Sequence, residues 1–294
     1  MMASTPLTKT TLAQTVARLA REASIEVHVQ DAVHLKASQS LLAPGKKLYV
    51  SHLPKQTWDD TVATCRAVAL AGFEPIPHIP VRLMANAETL DRTLDRLVRD
   101  AHVQEVLLIA GDYATPVGPY SAVGEVLGSG ALAKHGLTKV SIAGHPEGHP
   151  VVALDEIRRA EREKVRLAAA AHLKVTLVTQ FFFESAPFLD WVRDLRAHGV
   201  RARIVGGLAG PASLATLFRF ARRCGVGPSV RALGTRPASL LNLIGDHGPD
   251  RVLGELAQSL TDGESDFSGI HMFSFGGFLR TCEWLNSTGV EANS

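Results

Sequence analysis

Short runs of consecutive apolar residues recur along this chain, and a segment with helical spacing follows almost every run. The runs at 106–110 (VLLIA), 140–143 (VSIA) and 175–178 (VTLV) show no alternation of polar and apolar side chains. Continuous apolar strands are typical of parallel sheets that are covered by helices. The pattern predicts eight strands, at residues 25–30, 47–52, 75–79, 105–110, 139–143, 175–180, 202–206 and 270–275.

Helices are predicted around these strands, at residues 8–23, 58–71, 87–101, 122–134, 154–172, 186–198, 211–224, 236–244, 250–260 and 278–285. This α/β alternation favours a closed (β/α)8 (TIM) barrel with extra helices before strand eight. A doubly wound open sheet is the competing arrangement. It normally carries a glycine fingerprint after the first strand, and residues 25–31 have none. The connection after the first strand shows little helical pattern.

Length and composition fit one large soluble domain. The chain has 294 residues, of which 46% are hydrophobic, and its net charge is +2. We expect an N-terminal helix in about 1–23, the barrel in 24–287 and a frayed tail in 288–294. Basic and acidic residues are interspersed, which argues against a nucleic-acid partner. No apolar run of about 18 residues and no signal-peptide core are present, so we predict a cytoplasmic protein with no membrane partner. A homo-oligomer is compatible with the sequence.

The three cysteines give no sign of a metal site or a disulfide framework. Cys65, Cys224 and Cys282 lie far apart, in segments predicted as helices, and none belongs to a CxxC motif. Reduced thiols are therefore expected.

Polar side chains gather at the predicted carboxyl ends of the strands, where a barrel of this type carries its chemistry. They are Glu26, His28, Ser51, His52, His78, Asp112, His145, Glu147, His149 and Gln180. The period of two places Glu26, His28 and Gln30 on one face of strand one, and we expect that face to look into the barrel. A buried glutamate must be paired or used in the chemistry, and the pattern leaves both readings open.

These residues permit three kinds of function. Histidines at several strand ends could bind zinc in a metal-dependent hydrolase, although strand one has no His-x-His pair and no helix carries histidines four apart around a glutamate. The same polar rim could hold an organic cofactor in an oxidoreductase, with a carboxyl group as proton donor. A barrel that only binds a ligand is the third reading, and a buried Glu26 weighs against it.

Two motifs resemble the methylenetetrahydrofolate reductase family. In that family one strand ends in a Pro-Glu-x-His-Pro turn, and the next ends in Thr-Gln followed by three phenylalanines and an acid. Here 146–150 reads PEGHP and 179–184 reads TQFFFE. The motifs occur in this order on predicted strands five and six, and the resemblance extends from about Ser24 to the last helix.

The resemblance implies the reaction and its cofactor. NADH or NADPH reduces bound FAD, which then reduces 5,10-methylenetetrahydrofolate to 5-methyltetrahydrofolate, with both substrates using one flavin face in turn. It also implies a role in one-carbon metabolism and methionine biosynthesis. Opening of the methylene bridge requires protonation of its leaving nitrogen. Two variants of this chemistry stay open: the oxidative direction, which would return methyl groups from demethylation, and turnover without tightly bound flavin.

The matching positions imply site residues. Glu26 corresponds to the family's general acid, and we expect burial to raise its pKa toward neutral pH. Asp112 is implied as the second catalytic residue, and Gln180 and Phe220 are implied as further substrate contacts. The implied cofactor contacts are Ser51, His78, Gly111, Asp112, Tyr120, Ser121, His145, Glu147, His149, Arg159, Arg162 and Lys164. No metal ligand is implied, so the stiff turn at 145–150 is expected to shape the FAD pocket.

The chain also departs from the family pattern. Residues 27–30 read VHVQ where relatives have Phe-Phe-Pro-Pro, and Ala110 replaces the arginine of an Arg-Gly-Asp motif. His145 stands where a tyrosine is common, and Phe273 and Gly277 replace a tyrosine and an arginine near strand eight.

Overall fold

The computed structural model describes residues 11–111, 113–149, 151–213, 216–217, 219 and 249–290. Within them, eight parallel strands form a closed barrel in chain order, which confirms the predicted (β/α)8 fold. The strands are β1 (Ser24–Val27), β2 (Lys47–Val50), β3 (Glu74–Pro80), β4 (Glu105–Ile109), β5 (Lys139–Gly144), β6 (Lys174–Phe182), β7 (Arg203–Ala209) and β8 (Gly269–Phe273). Ile25 on β1 pairs with Leu48 on one side and Met272 on the other, which closes the ring.

Helices surround the barrel in the described part of the chain. They are α1 (Leu12–Glu22), α2 (Leu35–Ser38), α3 (Trp58–Leu70), α4 (Ala87–Ala101), α5 (Val123–Gly128), α6 (Ala131–Lys134), α7 (Leu154–Ala170), α8 (Ser185–Ala197), α9 (Asp250–Thr261) and α10 (Phe278–Val290), with 3-10 helices at Val29–His34 and Val81–Leu83. The predicted helix at 236–244 and most of that at 211–224 lie outside the described residues. None of the described helices is both long and apolar enough to cross a membrane.

The first βα unit differs from the prediction. Strand β1 ends at Val27, and a 3-10 helix begins at Val29. The backbone N–H of His28 donates a hydrogen bond of 2.9 Å to the buried carboxylate of Asp31, and this local contact turns the chain. Gln30 therefore does not continue the strand, and its predicted place on one face with Glu26 and His28 is wrong.

The helix predicted at 122–134 is divided in two. Gly130 lies between α5 and α6 with φ of 74°, a left-handed conformation that interrupts helical hydrogen bonding and suits glycine. At the other end, the carboxylate of Glu125 accepts hydrogen bonds from the backbone of Ser121 and Ala122 and so caps α5.

The lower half of the barrel interior is filled, so the upper half is the place for a ligand. An apolar layer of Tyr49, Ile76, Leu107, Val178 and Val205 crosses the barrel. A cluster of hydrogen-bonded polar side chains lies beside and below this apolar layer. The buried carboxylate of Glu105 accepts hydrogen bonds of 2.7 Å from both Lys47 and Ser141, and the hydroxyl of Ser141 lies 2.9 Å from the hydroxyl of Tyr49.

Candidate active site

A cavity of about 980 Å³ opens at the carboxyl ends of β1–β5 and is closed on one side by α7. Its volume lies at the upper end of the range for small-molecule and cofactor sites. Seven of the residues predicted for the site line it, namely Glu26, Ser51, His78, Gly111, His145, His149 and Lys164. Asp112 and Phe220 lie outside the described residues.

Glu26 lies inside the barrel at the end of β1, as its face of the strand predicts. Its side chain is 13% exposed. The hydroxyl of Ser51, on the next strand, donates a hydrogen bond of 2.5 Å to Oε1. His28 Nδ1 lies 3.9 Å from Oε1, and His271 Nε2 lies 3.9 Å from Oε2. The carboxylate therefore meets one hydroxyl and two imidazoles, and it also faces the open cavity.

The expected rise in the pKa of Glu26 is wrong. Burial raises the pKa, but the polar contact with His271 and the charges of His78, His28 and His271 together lower it from 4.5 to about 2. Burial in turn lowers the pKa of His78 to about 4, against the opposing effect of Glu26. At neutral pH Glu26 is therefore a carboxylate and His78 a neutral imidazole.

His271 was missed from the sequence, although it is the most enclosed neighbour of Glu26. It lies on β8 with 2% of its side chain exposed, and its Nδ1 is 2.9 Å from the hydroxyl of Ser24. Its ring packs edge-on against Tyr49 and Phe273. The period of two could have found it, because Phe273, already singled out at this strand end, is two residues further along β8.

The turn after β5 is held from behind by α7. The backbone N–H of His145 and the indole N–H of Trp191 donate hydrogen bonds of 2.7 Å and 3.0 Å to the buried carboxylate of Glu161. Arg158 donates to the carbonyls of His145 and Pro146, at 2.9 Å each. Burial raises the pKa of Glu161, but these partners lower it more, so it stays ionised. The turn after β5 is thus held by the ion pair of Arg158 and Glu161 on α7. Neither residue was predicted from the sequence.

Gln180 contributes to the same anchor from β6. Its side-chain amide donates a hydrogen bond of 3.3 Å to the carbonyl of Gly148, which has a φ of 90°. The rings of His145 and His149 meet edge-on with centroids 5.9 Å apart. Glu147, which lies between these two residues in the sequence, is half-buried.

The face of α7 toward the cavity is set by helical spacing. Ile157, Ala160, Glu161 and Lys164 line the cavity, at intervals of three and four residues. Lys164 donates a hydrogen bond of 3.3 Å to the carbonyl of Ala143, and burial lowers its pKa. Arg159 is exposed, and neither it nor Arg162 belongs to the described cavity wall. Their contact with a cofactor stays a prediction.

The β4–α5 loop forms the other side of the mouth. Gly111 has a φ of 89°, and a Cβ there would lie 3.1 Å from both Pro80 and Tyr113, so a larger residue would be strained and crowded. Arg82 holds the loop by donating hydrogen bonds to the carbonyls of Ser121 and Tyr113. Tyr120 is buried in the main core and Ser121 hydrogen bonds to Glu125, so neither lines the cavity.

Comparison with known proteins agrees with this geometry. The model of the family described as methylenetetrahydrofolate reductase matches residues 60–229, more than half of the chain.

The chain belongs to the methylenetetrahydrofolate reductase family.

A solved structure shares the barrel of this family member at low sequence identity. An uncharacterized protein from Clostridium thermocellum, described as binding two copies of 5-methyl-5,6,7,8-tetrahydrofolic acid, is 13% identical with a TM-score of 0.55. The match covers 94% of this chain and 97% of that protein. The dihydropteroate synthase of Thermus thermophilus is 12% identical with a TM-score of 0.48, over 93% and 95% of the two chains.

The cavity has features that suit the FAD of this family. The buried Nε2 of His78 has no hydrogen-bond partner among the described residues, and it lies in the cavity wall where a polar heterocycle could pair with it. Lys164 brings a cation to the same cavity, as a pyrophosphate requires. The described residues include no group of three His, Cys, Asp or Glu side chains that could hold a metal ion.

Proposed function

We propose that this protein interconverts 5,10-methylenetetrahydrofolate and 5-methyltetrahydrofolate, with NADH or NADPH as the hydride source and FAD as the cofactor. The position of Glu26 is the observation on which the proposal depends. A carboxylate inside the barrel, with one oxygen bonded to Ser51 and the other toward His271, faces a cavity large enough for a ring system. Family membership supports the reaction type.

In this proposal Glu26 carries one proton per turnover. In the reductive direction it gives a proton to the leaving nitrogen of the methylene bridge, which lets the bridge open to an iminium that accepts hydride. In the oxidative direction the carboxylate takes the same proton back as the bridge closes. Because its pKa is low, Glu26 is present at neutral pH as the carboxylate, the form that accepts a proton in the oxidative direction, and reduction requires a protonated site to form first.

The residues that would hold FAD are those of the cavity wall. His78 offers an unpaired nitrogen, Lys164 offers ammonium protons beyond the one given to Ala143, and Ile157 and Ala160 offer an apolar surface. When bound, FAD would pass hydride between the nicotinamide and the folate. His145 and His149 would then border the same space, on a turn that Arg158 and Glu161 keep rigid.

A second candidate is the same reaction with direct hydride transfer and no tightly bound flavin. The sequence favours it, because Ala110 replaces the family's arginine. Lys164 and Arg82 are then the cations of the described wall, and the exposed carboxylate of Glu156 lies on α7 with Lys164.

An absorption spectrum of the purified protein separates the two candidates. The flavin-dependent proposal expects an oxidised-flavin band that bleaches on anaerobic addition of NADH and returns when methylenetetrahydrofolate is added. A colourless protein that takes up no FAD and still oxidises NADH with methylenetetrahydrofolate would establish direct transfer. Protein that converts neither folate with any nicotinamide, with or without added FAD, would refute both.

A further inference from the structure

Proton supply to Glu26 is a separate problem from its role toward the folate. Reduction consumes one proton per turnover, and the described site begins as a carboxylate with only 13% of its side chain exposed. A ring system in the cavity would cover the open side of this carboxylate. Protons must therefore arrive through a neighbouring group that is itself in reach of solvent.

The neighbours of Glu26 differ in their ability to do this. The hydroxyl of Ser51 makes the closest contact, 2.5 Å, but an alcohol is too weak an acid to deliver a proton at neutral pH. The side chain of His271 is 2% exposed, so bulk water does not reach it. The side chain of His28 is 19% exposed, and its Nδ1 lies 3.9 Å from Oε1 of Glu26.

The environment of His28 shows a nitrogen that is available for exchange. Its Nδ1 is buried and has no hydrogen-bond partner among the described residues, while its backbone N–H is fixed by Asp31 at 2.9 Å. A buried imidazole nitrogen without a partner requires an explanation, and a role in catalysis is one of them. The backbone contact keeps the ring at the start of the 3-10 helix, beside the end of β1.

We propose that His28 passes protons between solvent and Glu26 in the reaction proposed above, on which this inference rests. The imidazolium of His28 gives its Nδ1 proton to Oε1 of Glu26, which leaves a neutral imidazole and a carboxylic acid. Glu26 gives that proton to the leaving nitrogen of the folate and returns to a carboxylate. The ring of His28, whose side chain is 19% exposed, then turns so that Nδ1 takes up a proton from solvent, and one proton enters for each bridge that opens. Oxidation runs the same steps in reverse.

Few charged groups compete for this proton. Glu26 and His78 face His28 across the barrel, and Asp31 holds its backbone. The 3-10 helix packs on α2, α3 and α10. Lys36 of α2 is exposed, and the buried titratable groups of α3 and α10 are Cys65 and Cys282. Burial raises the pKa of both thiols, so both are neutral at neutral pH.

The test compares His28→Phe with His34→Phe. Phenylalanine stands at position 28 in the family pattern, so His28→Phe suits the fold, and His34 is an exposed histidine on the same 3-10 helix that serves as the matched control. We expect His28→Phe to lower kcat for methylenetetrahydrofolate reduction about tenfold or more above pH 7, to steepen its decline with pH, and to be rescued by added imidazole. The control should keep the rate and pH profile of the wild type.

A readout without turnover follows the same proton. The infrared carboxyl band of Glu26, identified by its loss in Glu26→Gln, should titrate at a higher pH in His28→Phe than in the wild type, because a neighbouring positive charge has been removed. An unchanged titration, or an unchanged pH profile without imidazole rescue, would overturn the relay. These results leave the proposed function intact if the wild type is active, whereas an inactive wild type overturns both.

Discussion

Two glutamates lie inside the same barrel with most of each side chain covered, and their surroundings differ. Both oxygens of Glu105, in the lower half, accept hydrogen bonds of 2.7 Å, one from Lys47 and one from Ser141. Glu26, in the upper half, has Ser51 on one oxygen and an imidazole no closer than 3.9 Å on the other. Burial is common to both, so burial alone does not mark a functional carboxylate. The incomplete set of partners and the open cavity mark Glu26.

The largest expected effect is that of Glu26→Gln on turnover. The amide keeps the size of the side chain but cannot carry the proton, so kcat for either folate should fall about 100-fold or more. The measurement is NADH oxidation with methylenetetrahydrofolate, and binding of the cavity ligand should persist. A variant that kept the wild-type rate would remove the distinction between the two glutamates.

Glu105→Gln should show the opposite profile. Loss of the carboxylate leaves Lys47 and Ser141 without their charged acceptor, which should cost about 2 kcal/mol in the free energy of unfolding. Urea unfolding at pH 7 measures this cost. We expect kcat of the folded fraction to stay near that of the wild type, and a fall comparable to that of Glu26→Gln would contradict a purely structural role.

Acid titration provides a third comparison. The pKa of Glu26 is lowered from 4.5 to about 2, so between these values the unfolded chain binds more protons than the native state. The stability contributed by this carboxylate is complete above about pH 4.5 and is lost as the pH falls toward 2. The wild type should therefore lose unfolding free energy more steeply than Glu26→Gln across this window. Parallel curves in urea titrations would show that Glu26 lacks the lowered pKa.

The smallest expected effects come from the two serines. Ser141→Ala removes one partner each from Glu105 and Tyr49 in a sealed interior and should destabilise the protein by about 1–2 kcal/mol. Ser51→Ala removes the hydroxyl that donates to Glu26 beside an open cavity. Water can take the place of this hydroxyl, so the loss of unfolding free energy should be smaller. Its expected signature is a rise in the pKa that governs turnover, measured from the rate against pH.

Local patterns were sufficient for most of the architecture and for part of the site. Continuous apolar strands predicted the closed barrel, and the two motifs around 146–184 led to the family. The placement of Glu26 inside the barrel followed from the period of two. The residue at which β1 ends could not be predicted in this way, because a hydrogen bond between His28 and Asp31 turns the chain there. The face of α7 was similarly uncertain until its packing showed Lys164 toward the cavity and Arg159 in solvent.

The sequence by itself determined the fold class, the family and the strand ends where polar groups collect, since these depend on periodicity and on motifs of neighbouring residues. Only the tertiary structure decided the ionisation of Glu26, because His78 and His271 reach it from β3 and β8, which are distant from it in the chain. The tertiary structure also showed that Glu26 and Glu105 differ in their hydrogen-bond partners. A pKa and a satisfied hydrogen bond depend on distances between side chains, and closure of the barrel sets those distances.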